Sequence, residues 1–149
     1  MLMDSEFDEM FDQINYGIAA FIDEKYNPED SVKDRFYSWW IAFATYANNK
    51  PFDFTYMDQL ATSHLYPKIG LQASTAFYSE SRKIVETGQN EGVIKDENIS
   101  NIIQFIRCAI SSVIKTHIST GKSMSDTHIF WMVETCWNGI KKEITALNF

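Results

Sequence analysis

The chain has 149 residues, enough for one domain with a buried core, and 45% of them are hydrophobic and 15% aromatic, which excludes an intrinsically disordered segment. The 13 basic and 20 acidic side chains give a net charge of −7. Because affinity for nucleic acid depends on basic side chains that neutralise phosphates, we expect no nucleic acid to bind through this chain alone.

The sequence has the features of a cytoplasmic protein. Its two cysteines, Cys108 and Cys136, fall within helical patterns and not at positions suited to a disulfide framework. The first residues contain no basic segment followed by an apolar run, and no stretch reaches the roughly 18 apolar residues that suggest a membrane span. We therefore expect a cytoplasmic location and no membrane partner.

Apolar residues recur at helical spacing in the first part of the chain. From Asp4 to about Tyr26 they follow the i, i+3, i+4, i+7 pattern of an amphipathic helix. The segment 27–30 places a proline and two acidic residues where a helix begins, so a second helix is predicted from Pro28 to about Ala47. A third is predicted from about Pro51 to Thr62, before an interruption at residues 63–67 that ends in proline.

Three more helices are predicted in the second part of the chain. Their ranges are Pro67–Gly88, Asp96–Ser119 and, after a cap at Ser123 or Ser125, a sixth helix to about Ala146. Gly88 is predicted to end the fourth helix in the left-handed conformation, and the fifth helix is predicted to end at Gly121. No segment shows strand periodicity. The predicted fold class is therefore all-α, a bundle of about six helices in a single domain over residues 1–149.

The fifth and sixth predicted helices carry more apolar surface than one core can cover. At 100° per residue, the apolar residues between Ile99 and Ile118 spread over roughly 220° of the fifth helix, against ~100° for a helix on an ordinary domain. The sixth helix adds Phe130, Trp131 and Trp137 beside its main stripe. Either the fifth helix is the centre of a monomeric bundle, or both helices pair with a second copy, which is the interpretation that we favour.

The sequence contains no recognisable catalytic or metal-binding motif. The three histidines, His64, His117 and His128, show neither i, i+4 pairing nor a Glu-x-x-His arrangement, so no metal site is predicted. There is no Gly-x-Ser-x-Gly elbow and no Cys-x-x-Cys, and residues 88–92 join two predicted helices, which is typical of a turn and not of a phosphate loop. We therefore predict a protein that is not an enzyme and has no cofactor.

Several segments carry a family resemblance when they are taken in order. Residues 35–47 form an aromatic-rich predicted helix, and residues 48–57 combine an Asn-x-Pro break with a Phe-x-Phe stretch. The interruption at 63–67 follows. Residues 86–95 contain a Gly-x-x-x-Gly-x-Ile link before a long helix, and Gly121 separates the last two helices. This order resembles the carboxy-terminal domain of the TetR family of bacterial transcription regulators.

The resemblance implies a small-molecule-sensing regulatory domain that forms a homodimer, in which the last two helices of each copy build a four-helix bundle. The family's helix-turn-helix, with its Ala-Gly-x-Ser turn and Tyr-x-His-Phe segment, is missing, so these residues hold no DNA-binding domain. That part is either removed from this chain or naturally absent. The alternative function is a head-less helical dimer that acts as a protein-interaction module or modulates an intact regulator.

The resemblance also implies a cavity for an unknown apolar or aromatic small molecule within predicted helices two to five, whereas the plainer interpretation is that the same aromatic side chains fill the core. Tyr46, Tyr66 and Tyr78 could supply hydroxyl groups. The candidate ligand-binding residues are Phe36, Trp39, Trp40, Phe43, Phe54, Met57, Tyr66, Phe77, Tyr78 and Phe105. The candidate dimer-interface residues are Ile103, Ile106, Ile110, Val113, Ile114, Phe130, Trp131, Val133, Trp137 and Ile140.

Overall fold

The computed structural model describes residues 4–61 and 75–143, and the fold of these residues is all-α, as predicted. The side chains at positions 4–8, 11, 15, 60–61 and 75–78 lie outside the description. The described helices are α1 (Asp4–Asp23), α2 (Val32–Asn49), α3 (Pro51–Ala61), α4 (Thr75–Asn90), α5 (Ile99–Thr120) and α6 (Asp126–Ile140). Within these ranges the only extended pairing is one isolated antiparallel bridge between Ile94 and Lys141.

Helix α2 is the centre of the fold, since it contacts each of the other five described helices. Phe36 and Trp40, one helical turn apart, are the largest fully buried side chains among the described residues. The Phe36 ring contacts the Trp137 ring of α6, with centroids 5.2 Å apart, and Ile106 of α5 belongs to the same core cluster. The core therefore lies where α2 passes under both α5 and α6.

The link between α1 and α2 forms a turn where the sequence predicted the start of a helix. The side-chain oxygen of Asn27 accepts a hydrogen bond from the backbone N–H of Glu29 at 3.0 Å, and its carbonyl accepts one from the N–H of Asp30 at 3.2 Å. Helix α2 instead begins after Ser31, whose hydroxyl accepts the N–H of Asp34 at 3.2 Å. Because the asparagine side chain satisfies the local donors, the turn replaces a first helical turn at Pro28.

Gly88, predicted to end the fourth helix, lies inside α4. The helix continues to Asn90, and Gly92, with φ of 74°, turns the chain. A Cβ added to Gly88 would lie 2.6 Å from Cγ1 of Ile94 and 3.1 Å from Cγ1 of Val32. Since Ile94 is fully buried, the glycine at position 88 allows the segment after α4 to pack directly against this helix and α2.

Helix α6 ends at Ile140 and not near Ala146, as the sequence predicted. The carbonyl of Ile140 accepts the N–H of Lys95 at 2.9 Å, and the N–H of Lys142 donates to the carbonyl of Val93 at 2.8 Å. These two bonds hold the chain after α6 in an extended conformation beside the segment between α4 and α5, which stops the helix. None of the helices in the described ranges is long and apolar enough to cross a membrane.

Candidate ligand-binding and partner surfaces

A row of aromatic rings connects α2 and α3 and contains several of the candidate ligand-binding residues. Phe36 and Trp40 have ring centroids 6.4 Å apart, Trp40 and Phe43 meet edge to face at 5.7 Å, and Phe43 meets Phe54 of α3 at 6.3 Å. Phe36, Trp40 and Phe54 are buried, whereas Phe43 is half-buried. The spacing i, i+4, i+7 places Phe36, Trp40 and Phe43 on one face of α2. We call these three residues and Phe54 the aromatic row.

Trp39 is buried but contacts a different part of the molecule. Its ring meets that of Tyr26 edge to face at 5.5 Å. The Tyr26 hydroxyl accepts a hydrogen bond from Nε of Arg35 at 3.0 Å and donates to Oε2 of Glu80 at 3.3 Å. Burial raises the pKa of Tyr26, against the opposing effect of Arg35. Trp39 therefore stabilises the junction of α1, α2 and α4.

The remaining candidate ligand-binding residues lie in different parts of the chain. Met57 is half-buried on α3. Tyr66 lies outside the described residues, and Phe77 and Tyr78 belong to α4 but have side chains outside the description. Phe105 is 61% exposed, because its neighbour Ile106 occupies the core-facing position of α5. Phe105 thus lies on the outer surface and not with the aromatic row.

A hydrogen bond between α2 and α3 lies beside the aromatic row. The hydroxyl of Tyr46, a residue that the sequence analysis considered as a polar group of the site, donates to Oδ2 of Asp53 at 2.8 Å. A Cβ added to Gly17 of α1 would lie 3.1 Å from the same hydroxyl oxygen, so three helices meet at this point. Burial, and then the hydrogen bond with Asp53, raises the pKa of Tyr46 to about 12.

The raised pKa of Tyr46 predicts a loss of stability at alkaline pH. Because the folded chain holds the phenol proton more tightly than the unfolded chain, whose ordinary pKa is 10.0, the stabilisation is complete below about pH 10 and is lost as the pH rises toward 12. We expect Tyr46→Phe to be less stable than the unmodified chain at pH 7 but to lose less stability between pH 9 and 11. Thermal unfolding at a series of pH values measures this difference, and parallel curves would contradict it.

A surface groove of about 600 Å³ lies between α2 and α6, away from the aromatic row. Its lining includes Tyr37, Ile41 and Phe130 together with the charged Lys33 and Glu134. Burial, followed by the negative charge of Glu134, raises the pKa of Tyr37. The volume falls within the range of small-molecule sites, ~300–1,000 Å³, but none of the candidate ligand-binding residues lines this groove.

Most candidate dimer-interface residues are buried within the chain itself. The buried members of that set, each at most 6% exposed, are Ile103, Ile106, Ile110, Ile114, Val133, Trp137 and Ile140. Val113 is half-buried. These side chains belong to the core cluster that α2, α4, α5 and α6 form within the single chain. Only Phe130, at 47%, and Trp131, at 55%, are substantially exposed.

The exposed surface shared by α5 and α6 has few charged groups. Its residues recur every three or four positions along one side of α5 and along the adjoining side of α6. It consists of Phe105, Ala109, Ser112, Thr116, His128, Trp131, Thr135 and Gly139, and we call it the outer face. Lys115 pairs with Asp58 of α3 at 2.9 Å, Glu134 lines the groove beside α2, and Asp126 lies in the first turn of α6. Nη2 of Arg107 lies 3.9 Å from Sγ of Cys108, and Nζ of Lys95 donates to the carbonyl of Gly139 at 3.0 Å.

The small polar members of the outer face are not among the candidate dimer-interface residues. Ser112, Thr116 and Thr135 were not apolar and were therefore left out of the predicted interface. Lysine, aspartate and glutamate are depleted at the centres of protein interfaces. The available signal was therefore the scarcity of charge along both helices, and not the presence of more isoleucine.

Comparisons with known proteins give a structural match but no sequence match. No protein-family model and no curated protein matches the chain. A protein of Shewanella sp. PV-4, assigned to the TetR family of transcription regulators, has a TM-score of 0.78 at 14% identity, over 92% of this chain and 74% of that one. A protein of unknown function from Rhodococcus sp. RHA1 has a TM-score of 0.72 at 17% identity, over 93% and 71%. The chain therefore has a TetR-like fold, consistent with the carboxy-terminal domain that the sequence resemblance implied.

Proposed function

We propose that this chain is the regulatory domain of a TetR-like transcription regulator, and that it binds a small molecule and forms a homodimer through its outer face. The observation that carries the proposal is the outer face itself. It exposes Phe105 and Trp131 on two adjacent helices, and its other members are small or uncharged. Aromatic residues are enriched and charged residues are depleted at the centres of protein interfaces.

A second copy of the chain is the partner whose charge best fits this surface. Each chain carries a net charge of −7, so two copies repel one another over most of their surfaces. The outer face contains no acidic residue, and contact there brings the fewest negative charges together. A two-fold axis would pair α5 and α6 with their mates, and a stable dimer of ordinary size buries roughly 1,200–2,000 Å² in total.

The aromatic row is the part of the chain best suited to a ligand. Its rings are apolar, Phe43 and Met57 are half-buried and can contact a bound molecule, and Tyr46 and Asp53 supply polar groups nearby. This composition fits an apolar or aromatic small molecule. Helix α1 contacts both α2 and α3. A ligand that favours one arrangement of these helices would therefore shift the position of α1, and with it any DNA-binding segment joined to α1.

The ligand site can be tested with 1-aminoanthracene, a neutral aromatic fluorophore. We expect saturable binding of one molecule per chain, weakened at least about tenfold by Phe43→Lys because a cation at this position disfavours an apolar ligand. Phe105→Lys, the same substitution on the outer face, should leave the affinity unchanged. Absence of saturable binding, or equal effects of the two substitutions, would contradict a ligand site at the aromatic row.

A further inference from the structure

The corner between α5 and α6 brings together two histidines that are separated in the sequence. His117 lies in the last turn of α5, where its carbonyl accepts hydrogen bonds from the N–H of Lys122 and from Oγ1 of Thr120, each at 3.1 Å. His128 lies in the first turn of α6, and its N–H donates to Oγ of Ser125 at 3.1 Å. Both backbones are thus held by the caps of their own helices.

The two imidazole rings meet edge to face, and one nitrogen of the His117 ring has no partner. Their centroids are 5.1 Å apart, and their planes are inclined by 80°. Nδ1 of His117 is buried and has no hydrogen-bond partner among the described residues. On the other side of His128, the ring of Trp131 lies at 5.6 Å and limits access to the pair. An imidazole nitrogen that is buried without a partner is unfavourable, and neutral imidazole offers such a nitrogen as a lone-pair donor.

The distance between the rings fits a shared metal ion. Two imidazoles that bind one tetrahedral ion with nitrogen–metal distances of ~2.0–2.1 Å have centroids about 5 Å apart. Imidazole is a preferred ligand of Zn²⁺, Ni²⁺ and Cu²⁺. We propose that His117 and His128 form a two-histidine site for a divalent transition-metal ion at the corner between α5 and α6.

The composition of the surroundings defines the kind of site. No group of three or more histidine, cysteine, aspartate or glutamate residues that could hold a metal occurs within residues 4–61 and 75–143. The described residues therefore supply two ligands, and in the proposed site water completes the coordination. Structural zinc sites use four protein ligands, so this ion is exchangeable. Edge-to-face stacking explains the ring angle, but it leaves Nδ1 of His117 without a partner.

The sequence analysis predicted no metal site because it searched for ligands within one helical turn of each other. His117 and His128 belong to different helices, and the turn that begins at Gly121, with φ of 69°, brings them together. The pair therefore depends on the tertiary structure and has no local sequence signature.

Calorimetric titration of the full chain with ZnCl₂ tests the site. We expect one Zn²⁺ per chain, and we expect His117→Ala and His128→Ala each to weaken binding at least about tenfold, since even loss of an outer partner of a metal ligand costs 10–100-fold. The third histidine, His64, provides the matched control, and His64→Ala should bind Zn²⁺ like the unmodified chain. Circular dichroism of each variant verifies that the helices are retained.

Nuclear magnetic resonance of the imidazole nitrogens gives a second measurement that needs no substitution of His117 or His128. The chain contains only three histidines. The His64→Ala variant alone therefore identifies the resonances of His64, and the remaining two sets belong to His117 and His128. Zn²⁺ should shift two sets of resonances and leave that of His64 in place. Absence of saturable binding, unchanged affinity in both alanine variants, or a shift confined to His64 would overturn the proposal.

Discussion

Replacement of Phe36 with alanine is expected to lower the free energy of unfolding by about 3–5 kcal/mol, the usual cost of removing a fully buried aromatic side chain. Phe36 has no solvent exposure, and its ring contacts those of Trp40 and Trp137. Because α2 lies between the other helices, packed helices surround the cavity that the phenyl ring would leave, and no loop can move in to fill it. Urea unfolding followed by circular dichroism measures the change.

Phe105→Ala is the control for this experiment. Phe105 is also a helical phenylalanine, but it is 61% exposed in the single chain, and we expect its removal to change the free energy of unfolding of the monomer by only about 0.5 kcal/mol. The sequence analysis placed both residues in one ligand site. Similar losses for the two variants at concentrations where the chain is monomeric would show that Phe105 is buried within the single chain.

Gly139→Lys is expected to convert the dimer into a monomer without unfolding the chain. A Cβ at Gly139 would have no atom within 4 Å, and lysine favours a helix by roughly 0.7–1 kcal/mol relative to glycine. The substitution therefore leaves the fold intact. At the outer face, a lysine on each copy would place two positive charges at the interface and prevent close contact of α6 with its mate. Multi-angle light scattering at micromolar concentration measures the mass.

Two controls separate charge from shape in this experiment. Gly139→Ala keeps the outer face uncharged and should remain dimeric. Ser79→Lys adds the same charge to an exposed position of α4 and should also remain dimeric. A dimeric Gly139→Lys variant would place the interface elsewhere, and dissociation of Ser79→Lys would mean that the outer face has no special role.

Local signals predicted the helices but not all of their ends. The chain leaves α5 at Gly121, as predicted, and Ser125, one of the two predicted caps, caps α6. The signals at Pro28 and Gly88 were equally local, but other contacts outweighed them. Asn27 formed a turn, and Gly88 was needed for contact with Ile94.

The assignment of apolar surface to core or interface required the tertiary structure. A wide apolar arc on α5 and a second stripe on α6 indicated two buried sides, but periodicity does not say which element covers each side. Ile110 and Val133 are fully buried in the chain, because α2 covers both helices. Ile110→Glu, at a residue predicted to lie in the dimer interface, would place an unpaired charge in the core and unfold the protein.

Sedimentation equilibrium of the unmodified chain tests the central claim most directly, since a homodimeric regulatory domain requires self-association through surface that the monomer leaves exposed. The account predicts a single species of twice the chain mass of 17.3 kDa at micromolar concentration. A single species at the monomer mass over the whole concentration range would contradict it.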